Sequence, residues 1–233
     1  MVLVCHEHKF IFLKTRKTAG TSVEMLLEPL CAPAGHTVAE RTHAIVSEKG
    51  VVGSRLIPVP DNPLHKFVFF LRHPNERWQN HMAASDILKL LGKDRFKEYK
   101  KMPTVRNPFA LAISQFNWRH RASLPTGDDY VDRFRRFVRD DLPDQKEITH
   151  HNDALIVDHA IRKEELQEDL EAFSREAGIS LTQMQLPHAK DQRALRSKSP
   201  QPVELFDGTT ADILRDKLDW MFRLGRYSRE VPA

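Results

Sequence analysis

The 233-residue sequence predicts an α/β fold in a single domain. One observation is a strand, a polar loop and a helix in succession: the apolar run Phe10–Leu13 precedes the loop, and apolar residues at helical spacing follow it. The other is the run at residues 67–71, which is apolar throughout, as in a strand of a parallel sheet that is covered on both faces. With 40% hydrophobic residues, the chain can bury a core.

The composition argues against several classes of protein. The net charge of +4, from 36 basic and 32 acidic residues, is compatible with anionic ligands but too weak to indicate a nucleic-acid-binding protein. Two cysteines, Cys5 and Cys31, exclude a disulfide-dense scaffold and favour reduced thiols in an intracellular protein. There is no secretory signal pattern, and no apolar run approaches the roughly 20 residues of a membrane-spanning helix. We therefore expect a cytoplasmic protein without a membrane span.

Periodicity and turn residues predict the remaining elements in order. Thr42 is expected to cap a short helix that carries His43, and Pro74 to begin a helix after the second apolar run. Residues 93–107 are basic and polar, and no element is predicted there. Further helices are expected at residues 109–118, 128–142, 163–177 and 209–225, and a strand is expected to begin at residues 155–157.

The loop after the first strand has the composition of an anion site. It combines three basic side chains with three hydroxyls, on Lys14, Arg16, Lys17, Thr18, Thr21 and Ser22. A loop between a strand and a helix directs backbone N–H groups and the positive end of the helix toward a ligand. We therefore expect a phosphate or sulfate ester here. The spacing of a Walker A loop is absent, because the lysine precedes the only glycine.

A second cation is expected beside this loop. Arg72 follows the apolar run at residues 67–71, and ligands of open α/β sheets bind outside the carboxyl ends of the strands. Arg72 and Lys17 are therefore expected on the same rim of the sheet.

Two segments resemble those of sulfotransferases that use 3′-phosphoadenosine 5′-phosphosulfate (PAPS). The string Lys17-Thr18-Ala19-Gly20-Thr21-Ser22 resembles the family's 5′-phosphosulfate-binding loop. The family's 3′-phosphate-binding segment is an apolar strand, then Arg, one residue, Pro, two residues, Arg, and a Ser eight residues after the first Arg. The chain matches it with Arg72, Pro74 and Arg77, but has Asn80 at the Ser position, where an amide can still donate a hydrogen bond.

The resemblance covers most of the chain. It implies one sulfotransferase domain over residues 1–233, with a P-loop-like parallel sheet and helices on both faces, close to the group that includes heparan-sulfate 2-O-sulfotransferases and their small bacterial relatives. It also implies PAPS as the donor, no metal, and a hydroxyl or amine acceptor, with a glycan or glycolipid favoured. The donor-binding residues it implies are Arg16, Lys17, Thr18, Ala19, Gly20, Thr21, Ser22, Arg72 and Asn80, and, in a basic loop that closes over the nucleotide, Arg193 and Ser197.

Transfer of a sulfuryl group by in-line displacement sets the expected catalytic roles. By analogy with phosphoryl transfer, Lys17 is expected to stabilise charge on the bridging and leaving oxygens. The acceptor must lose a proton, and His43 is the first candidate for the general base, because related enzymes have a Lys-His-Ala segment where this chain has Thr42-His43-Ala44. The alternatives are Glu24, Glu40 and His36.

Two other functions stay open at this point. A nucleotide-dependent kinase on a P-loop sheet is one, although the Gly-Lys-Ser/Thr sequence is missing. A non-catalytic module that binds polyanions is the other, and its binding would weaken with salt and would not depend on a nucleotide.

Overall fold

The computed structural model describes residues 2–55, 60–180 and 199–232. Within them, the strands form a six-stranded sheet and a separate two-stranded hairpin. In chain order the strands are β1 (Leu3–Cys5), β2 (Phe10–Leu13), β3 (Ile45–Val46), β4 (Gly50–Val52), β5 (Lys100–Val105), β6 (His150–His151), β7 (Ala154–Leu155) and β8 (Ile161–Arg162).

Helices make up most of the rest of the described chain. They are α1 (Gly20–Cys31), α2 (Pro63–Arg72), α3 (Ala84–Leu91), α4 (Lys93–Glu98), α5 (Pro108–Arg119), α6 (Gly127–Arg136), α7 (Lys146–Thr149), α8 (Leu166–Ala177), α9 (Pro202–Leu205), α10 (Gly208–Lys217) and α11 (Asp219–Gly225). A turn of 3-10 helix spans Pro74–Arg77, and a π-helical turn, Phe137–Asp141, follows α6.

The central sheet is mixed, with strand order β3-β4-β1-β2-β5-β8. β5 pairs in parallel with β2 and β8, whereas β1–β2, β1–β4 and β3–β4 are antiparallel pairs. The α/β prediction is confirmed, and the expected parallel sheet is corrected to a mixed one. The reason is the connection at residues 6–9, which allows a hairpin but is far too short for the crossover that parallel strands need.

Helices flank the sheet on both faces. Successive side chains of β1 and β2 point to opposite faces. One face packs on α1 and α8 through Leu3, Phe12, Val23, Leu27 and Phe173. The other packs on α3 through Val4, Ile11, Leu13 and Ile87. A third cluster joins α5, α6, α10 and α11 around Phe109, Phe116, Phe134, Leu214 and Phe222.

Several sequence predictions are confirmed. β2 spans Phe10–Leu13 as expected, and α1 follows with Val23 and Leu27 fully buried. The helices expected at residues 109–118, 128–142 and 163–177 correspond to α5, to α6 with its π-helical turn, and to α8. The last of these ends at Gly178, which has a left-handed φ of 65°. Both cysteines are free thiols and buried.

The predicted strand at residues 67–71 is wrong, because this segment belongs to α2. Asn62 caps the helix: its Oδ1 accepts hydrogen bonds from Leu64 N (2.9 Å) and His65 N (3.2 Å). Pro63 occupies the first helical position. No residue of α2 is buried, so no neighbouring layer holds the apolar run in a strand. A short apolar run by itself does not distinguish the two conformations.

The strand that pairs in parallel with β2 is β5, which lies within the segment for which no element is predicted. Its polar start concealed it, since Lys100 and Lys101 do not look like residues of an inner strand. Lys101 is 8% exposed, and its Nζ donates to Tyr99 O at 2.5 Å and to Asp158 Oδ2 at 3.4 Å. The buried ammonium group is therefore compensated locally.

The short helix predicted after Thr42 is also wrong. The segment is extended and contains β3, whose Ile45 and Val46 pair with Val52 and Val51 of β4. Two successive β-branched residues favour this pairing over a helix.

A pair of substitutions tests the corrected position of residues 67–71. Phe12→Ala empties a fully buried site and should lower the free energy of unfolding by about 3–5 kcal/mol. Phe67→Ala, on exposed α2, should change it by about 0.5 kcal/mol or less. Urea unfolding of both variants measures the difference, and a comparable loss at Phe67 would mean that this segment is buried after all.

Candidate functional site

The loop between β2 and α1 passes through two left-handed residues. Lys17 has a φ of 66° and Ala19 a φ of 65°, a region that non-glycine residues rarely adopt. Ala19 caps α1 and offers no side-chain acceptor to the helix N-terminus. At Gly20, an added Cβ would lie 3.0 Å from Lys14 Cγ and 3.1 Å from Thr104 Oγ1, so a larger residue would have to displace these side chains by a few tenths of an ångström. The start of this twelve-residue helix is thus suited to an external anion.

Three threonine hydroxyls fasten the loop to β5. Thr18 Oγ1 lies 2.7 Å from Thr104 Oγ1 and 2.8 Å from Thr15 Oγ1, and the Thr15 hydroxyl donates to the Thr104 carbonyl. All three side chains are almost completely buried. The Thr18 hydroxyl therefore has a structural role, while Thr21 and Ser22 are half-buried in the first turn of α1.

A second clamp reaches the loop from the segment before α7. The buried Gln145 accepts a hydrogen bond from Arg16 N at 2.5 Å and donates one to Arg16 O at 3.4 Å. The backbone N–H and C=O of Arg16 are both thereby hydrogen-bonded, and the loop is held from two sides in its strained conformation.

The three basic side chains of the loop differ in their surroundings. Lys14 is buried, with its Nζ 2.7 Å from Glu24 Oε2. Arg16 is exposed. Lys17 is half-buried, and its Nζ lies 4.4 Å from the centre of the Trp118 ring, in a cation–π contact. Lys17 is thus partly open to solvent while its ammonium group is positioned by an aromatic ring of α5.

The cation that the sheet brings to this loop is Arg106. It follows β5 directly, it is 5% exposed, and its Nη1 donates to the Lys17 carbonyl at 3.2 Å. Arg72 was predicted at this edge of the sheet because it would follow a strand. The segment is helical instead, and Arg72 is exposed at the C-terminal end of α2. Asn80 is exposed as well.

A sequence signal for Arg106 was present but overlooked. After β5 come Arg106, one residue, Pro108 and, eight residues after the arginine, Ser114, which is 9% exposed on α5. These match the Arg, Pro and Ser positions of the 3′-phosphate-binding segment described above, with Leu111 at its second Arg position. The run at residues 67–71 is more apolar than β5, and the 3′-phosphate-binding segment was therefore assigned to Arg72 instead of Arg106.

His81 is a second residue that sequence reasoning missed. Its Nδ1 lies 2.9 Å from the Lys14 carbonyl oxygen, so Nδ1 carries the proton and Nε2 the lone pair in the neutral ring. Burial and the nearby charges of Lys14 and Arg16 lower the pKa of His81 to about 2. The backbone is left-handed here, with a φ of 54°. No local pattern distinguishes this histidine from the others, and only the fold brings it beside the loop.

His43 has a different partner. Its Nδ1 lies 2.8 Å from Oε1 of the buried Glu76, which also accepts from Ala44 N at 3.1 Å, while the His43 side chain is 66% exposed. Burial tends to raise the pKa of Glu76, but hydrogen bonds from Ser54, His43 and Ala44 outweigh it and lower this pKa. Glu76 is thus an ionised carboxylate that orients an exposed imidazole.

The other three candidate bases have different surroundings. Glu24 is fully buried and bound to Lys14. His36 Nε2 lies 2.5 Å from Glu28 Oε1, and the other oxygen of Glu28 lies 2.5 Å from Nη2 of Arg55. Glu40 is exposed in a loop. Arg193 and Ser197, predicted to close over the nucleotide, lie outside the described residues.

The described part of the chain holds no group of three or more His, Cys, Asp or Glu side chains arranged to bind a metal ion. In the same residues, no helix has both the length and the apolar composition needed to cross a bilayer.

Comparisons of the chain with protein-family models, with curated proteins and with solved structures give no match.

Removing the Thr18 hydroxyl should loosen the loop. Thr18→Val keeps the shape but deprives the buried Thr15 and Thr104 of a partner, so we expect the free energy of unfolding to fall by about 1–3 kcal/mol. The matched control is Thr21→Val in the half-buried first turn of α1, expected to change it by about 0.5 kcal/mol or less. Urea unfolding distinguishes the two, and equal effects would contradict the fastening role.

Proposed function

We propose that this protein is a sulfotransferase that moves a sulfuryl group from PAPS to a hydroxyl or amine, with a glycan or glycolipid as the favoured acceptor. The observation that carries the proposal is the juxtaposition of two cationic residues. Lys17 and Arg106 follow the neighbouring parallel strands β2 and β5, and Arg106 Nη1 bonds to the Lys17 carbonyl. The carboxyl edge of parallel strands is where open α/β sheets bind their ligands.

Each end of the donor has a matching set of residues. The loop backbone, the N-terminus of α1, Lys17, Thr21 and Ser22 suit the 5′-phosphosulfate. Arg106 and Ser114 suit the 3′-phosphate, replacing Arg72 and Asn80 in that role. A guanidinium group and a hydroxyl are strong donors to phosphate oxygens, and this second phosphate is what distinguishes PAPS from ATP.

Lys17 is the residue that we assign to stabilising the charge on the leaving group. When bound, PAPS supplies an electrophilic sulfur and a phosphate leaving group, on which negative charge grows as the bond breaks. An ammonium group fixed beside that position stabilises the developing charge. Trp118 holds this ammonium group beside the loop in a cation–π contact, which positions it for an anion bound there.

His81 is the general base we assign to the acceptor. Its Nδ1–H is held by the Lys14 carbonyl, so Nε2 is free of the proton and can accept one from the acceptor hydroxyl. Burial and nearby positive charges lower the pKa of His81 and make this nitrogen a weak base. A multiply charged anion beside Lys17 opposes those charges and raises the pKa of His81, so the base strengthens when the donor is bound.

Thermal stability tests the donor site. At 100 times its dissociation constant, 3′,5′-adenosine bisphosphate should stabilise the native state by about 2.7 kcal/mol and raise the Tm. Lys17→Ala and Arg106→Ala should abolish most of the rise, whereas the matched control Arg72→Ala, on exposed α2, should keep it. A rise with ATP and Mg²⁺ alone would favour a kinase, and loss of the rise only in Arg72→Ala would restore the original assignment.

Paired histidine variants test the base. His81→Ala should lower kcat by about 10²- to 10⁴-fold with little change in affinity for the bisphosphate. His43→Ala should keep most of the activity, because His43 is an exposed residue held by Glu76. The measurement is sulfuryl transfer from labelled PAPS to a panel of glycan acceptors. The opposite pattern would assign the base to His43.

A further inference from the structure

Gln115 carries a buried amide group that lacks a hydrogen-bond partner. The side chain lies on α5 and is 8% exposed, and within residues 2–55, 60–180 and 199–232 its Nε2 has nothing to donate to. A buried donor that is left unpaired lowers the free energy of unfolding, so folded proteins contain few of them. An unpaired amide of this kind is expected where a ligand supplies the missing acceptor.

Two other buried amides near this site are paired. On α5, Asn117 is 2% exposed; its Nδ2 donates to Ser199 Oγ at 2.7 Å, and its Oδ1 accepts from the Tyr130 hydroxyl at 2.6 Å. Gln145 is fully buried and is hydrogen-bonded to the backbone of the loop between β2 and α1. Burial alone therefore does not explain why the amide of Gln115 is unpaired.

The position of Gln115 on α5 brings it close to that loop. Ala112 and Phe116 face the core, whereas Trp118 lies on the opposite side of the helix, where its ring contacts Lys17 Nζ at 4.4 Å. Gln115 is three residues before Trp118, so the two side chains are neighbours on the helix surface, about 4.5 Å apart along the axis. The amide thus lies beside the ring that positions the Lys17 ammonium group.

Arg106 lies at the start of the same helix. It directly precedes Asn107, the capping residue of α5, and its Nη1 donates to the Lys17 carbonyl at 3.2 Å. Gln115 is therefore placed between the helix start, near Arg106, and the ammonium group of Lys17. Lysine and arginine side chains only donate hydrogen bonds, so neither cation can accept one from the amide. An anion that binds to both cations brings oxygen acceptors with it.

We propose that Gln115 is a further binding residue of the donor site, and that its Nε2 donates a hydrogen bond to a phosphate oxygen of the anion held by Lys17 and Arg106. This bond satisfies the buried amide, and in a site of low dielectric it strengthens anion binding. The proposal rests on the donor site of the proposed function but not on the transfer step. It implies that the chain is less stable without the anion than it would be with an apolar residue at this position.

Gln115→Met tests both parts of the proposal. Methionine keeps the length and the helix propensity of glutamine but has no N–H donor. Without added ligand the Tm should rise by about 2–4 °C, because an unpaired donor is removed from the interior. In isothermal titration calorimetry, the affinity for 3′,5′-adenosine bisphosphate should fall by about tenfold, since one hydrogen bond to a charged group is lost.

Two further variants are the matched controls. Gln145→Met removes a buried amide that is paired, so its Tm should fall. Gln115→Glu keeps the shape of the side chain, but an ionised carboxylate only accepts hydrogen bonds and repels an anion. The affinity for the bisphosphate should therefore fall further than in Gln115→Met.

Either of two results with these variants would overturn the proposal. A lower Tm for Gln115→Met would mean that the amide has a partner within the protein. Unchanged affinity for the bisphosphate in both Gln115 variants would mean that the amide does not contact the anion.

Titration with inorganic pyrophosphate separates this proposal from the proposed function. If the unmodified chain binds pyrophosphate but not the bisphosphate, the assignment of PAPS as the donor fails. The pyrophosphate affinities of the two Gln115 variants then decide whether the amide binds the anion. If the unmodified chain binds neither compound, both proposals are wrong.

Discussion

The parallel pairing of β2 with β5 is the constraint on which the candidate site depends. Leu13 lies opposite Pro103, so the residues that follow both strands emerge at one edge of the sheet. There the loop contains two residues with left-handed backbone conformation, and each such conformation costs on the order of 1–3 kcal/mol of conformational free energy. The hydroxyl contacts between Thr18 and Thr104 and the bond from Arg106 to the loop hold that strained backbone in place. Without the strand pair, the loop would lose these contacts and keep only the clamp from Gln145.

Lys14 connects this edge to the interior. Its side chain points inward to Glu24, which also lies 3.7 Å from the guanidinium group of Arg55, and all three are buried. Its carbonyl accepts the hydrogen bond from His81. Buried ion pairs contribute little net stability, but removing one partner leaves a charge uncompensated and is strongly destabilising. The orientation of His81 is therefore coupled to a buried charge network that has little freedom to rearrange.

The misassignment of α2 and β5 has one physical cause. Hydrophobicity along the chain predicts an inner strand at residues 67–71, because these residues are more apolar than β5. A strand is stabilised by the neighbours that it pairs with, and β5 obtains these from β2 and β8 despite Lys101, whose charge is compensated locally. α2 has its own cap in Asn62 and needs no such neighbours. Its apolar residues lie at the surface instead of in a core.

The sequence by itself determined the unit of β2, loop and α1, including Lys17 and Gly20 as its central residues. This was possible because strand pattern, loop composition and helical spacing are local properties. Only the tertiary structure decided that Arg106 and His81 join this loop, since their positions follow from strand pairing and packing between segments far apart in the chain. The stability of such contacts depends on both of the segments that meet, so the sequence of one segment does not specify them.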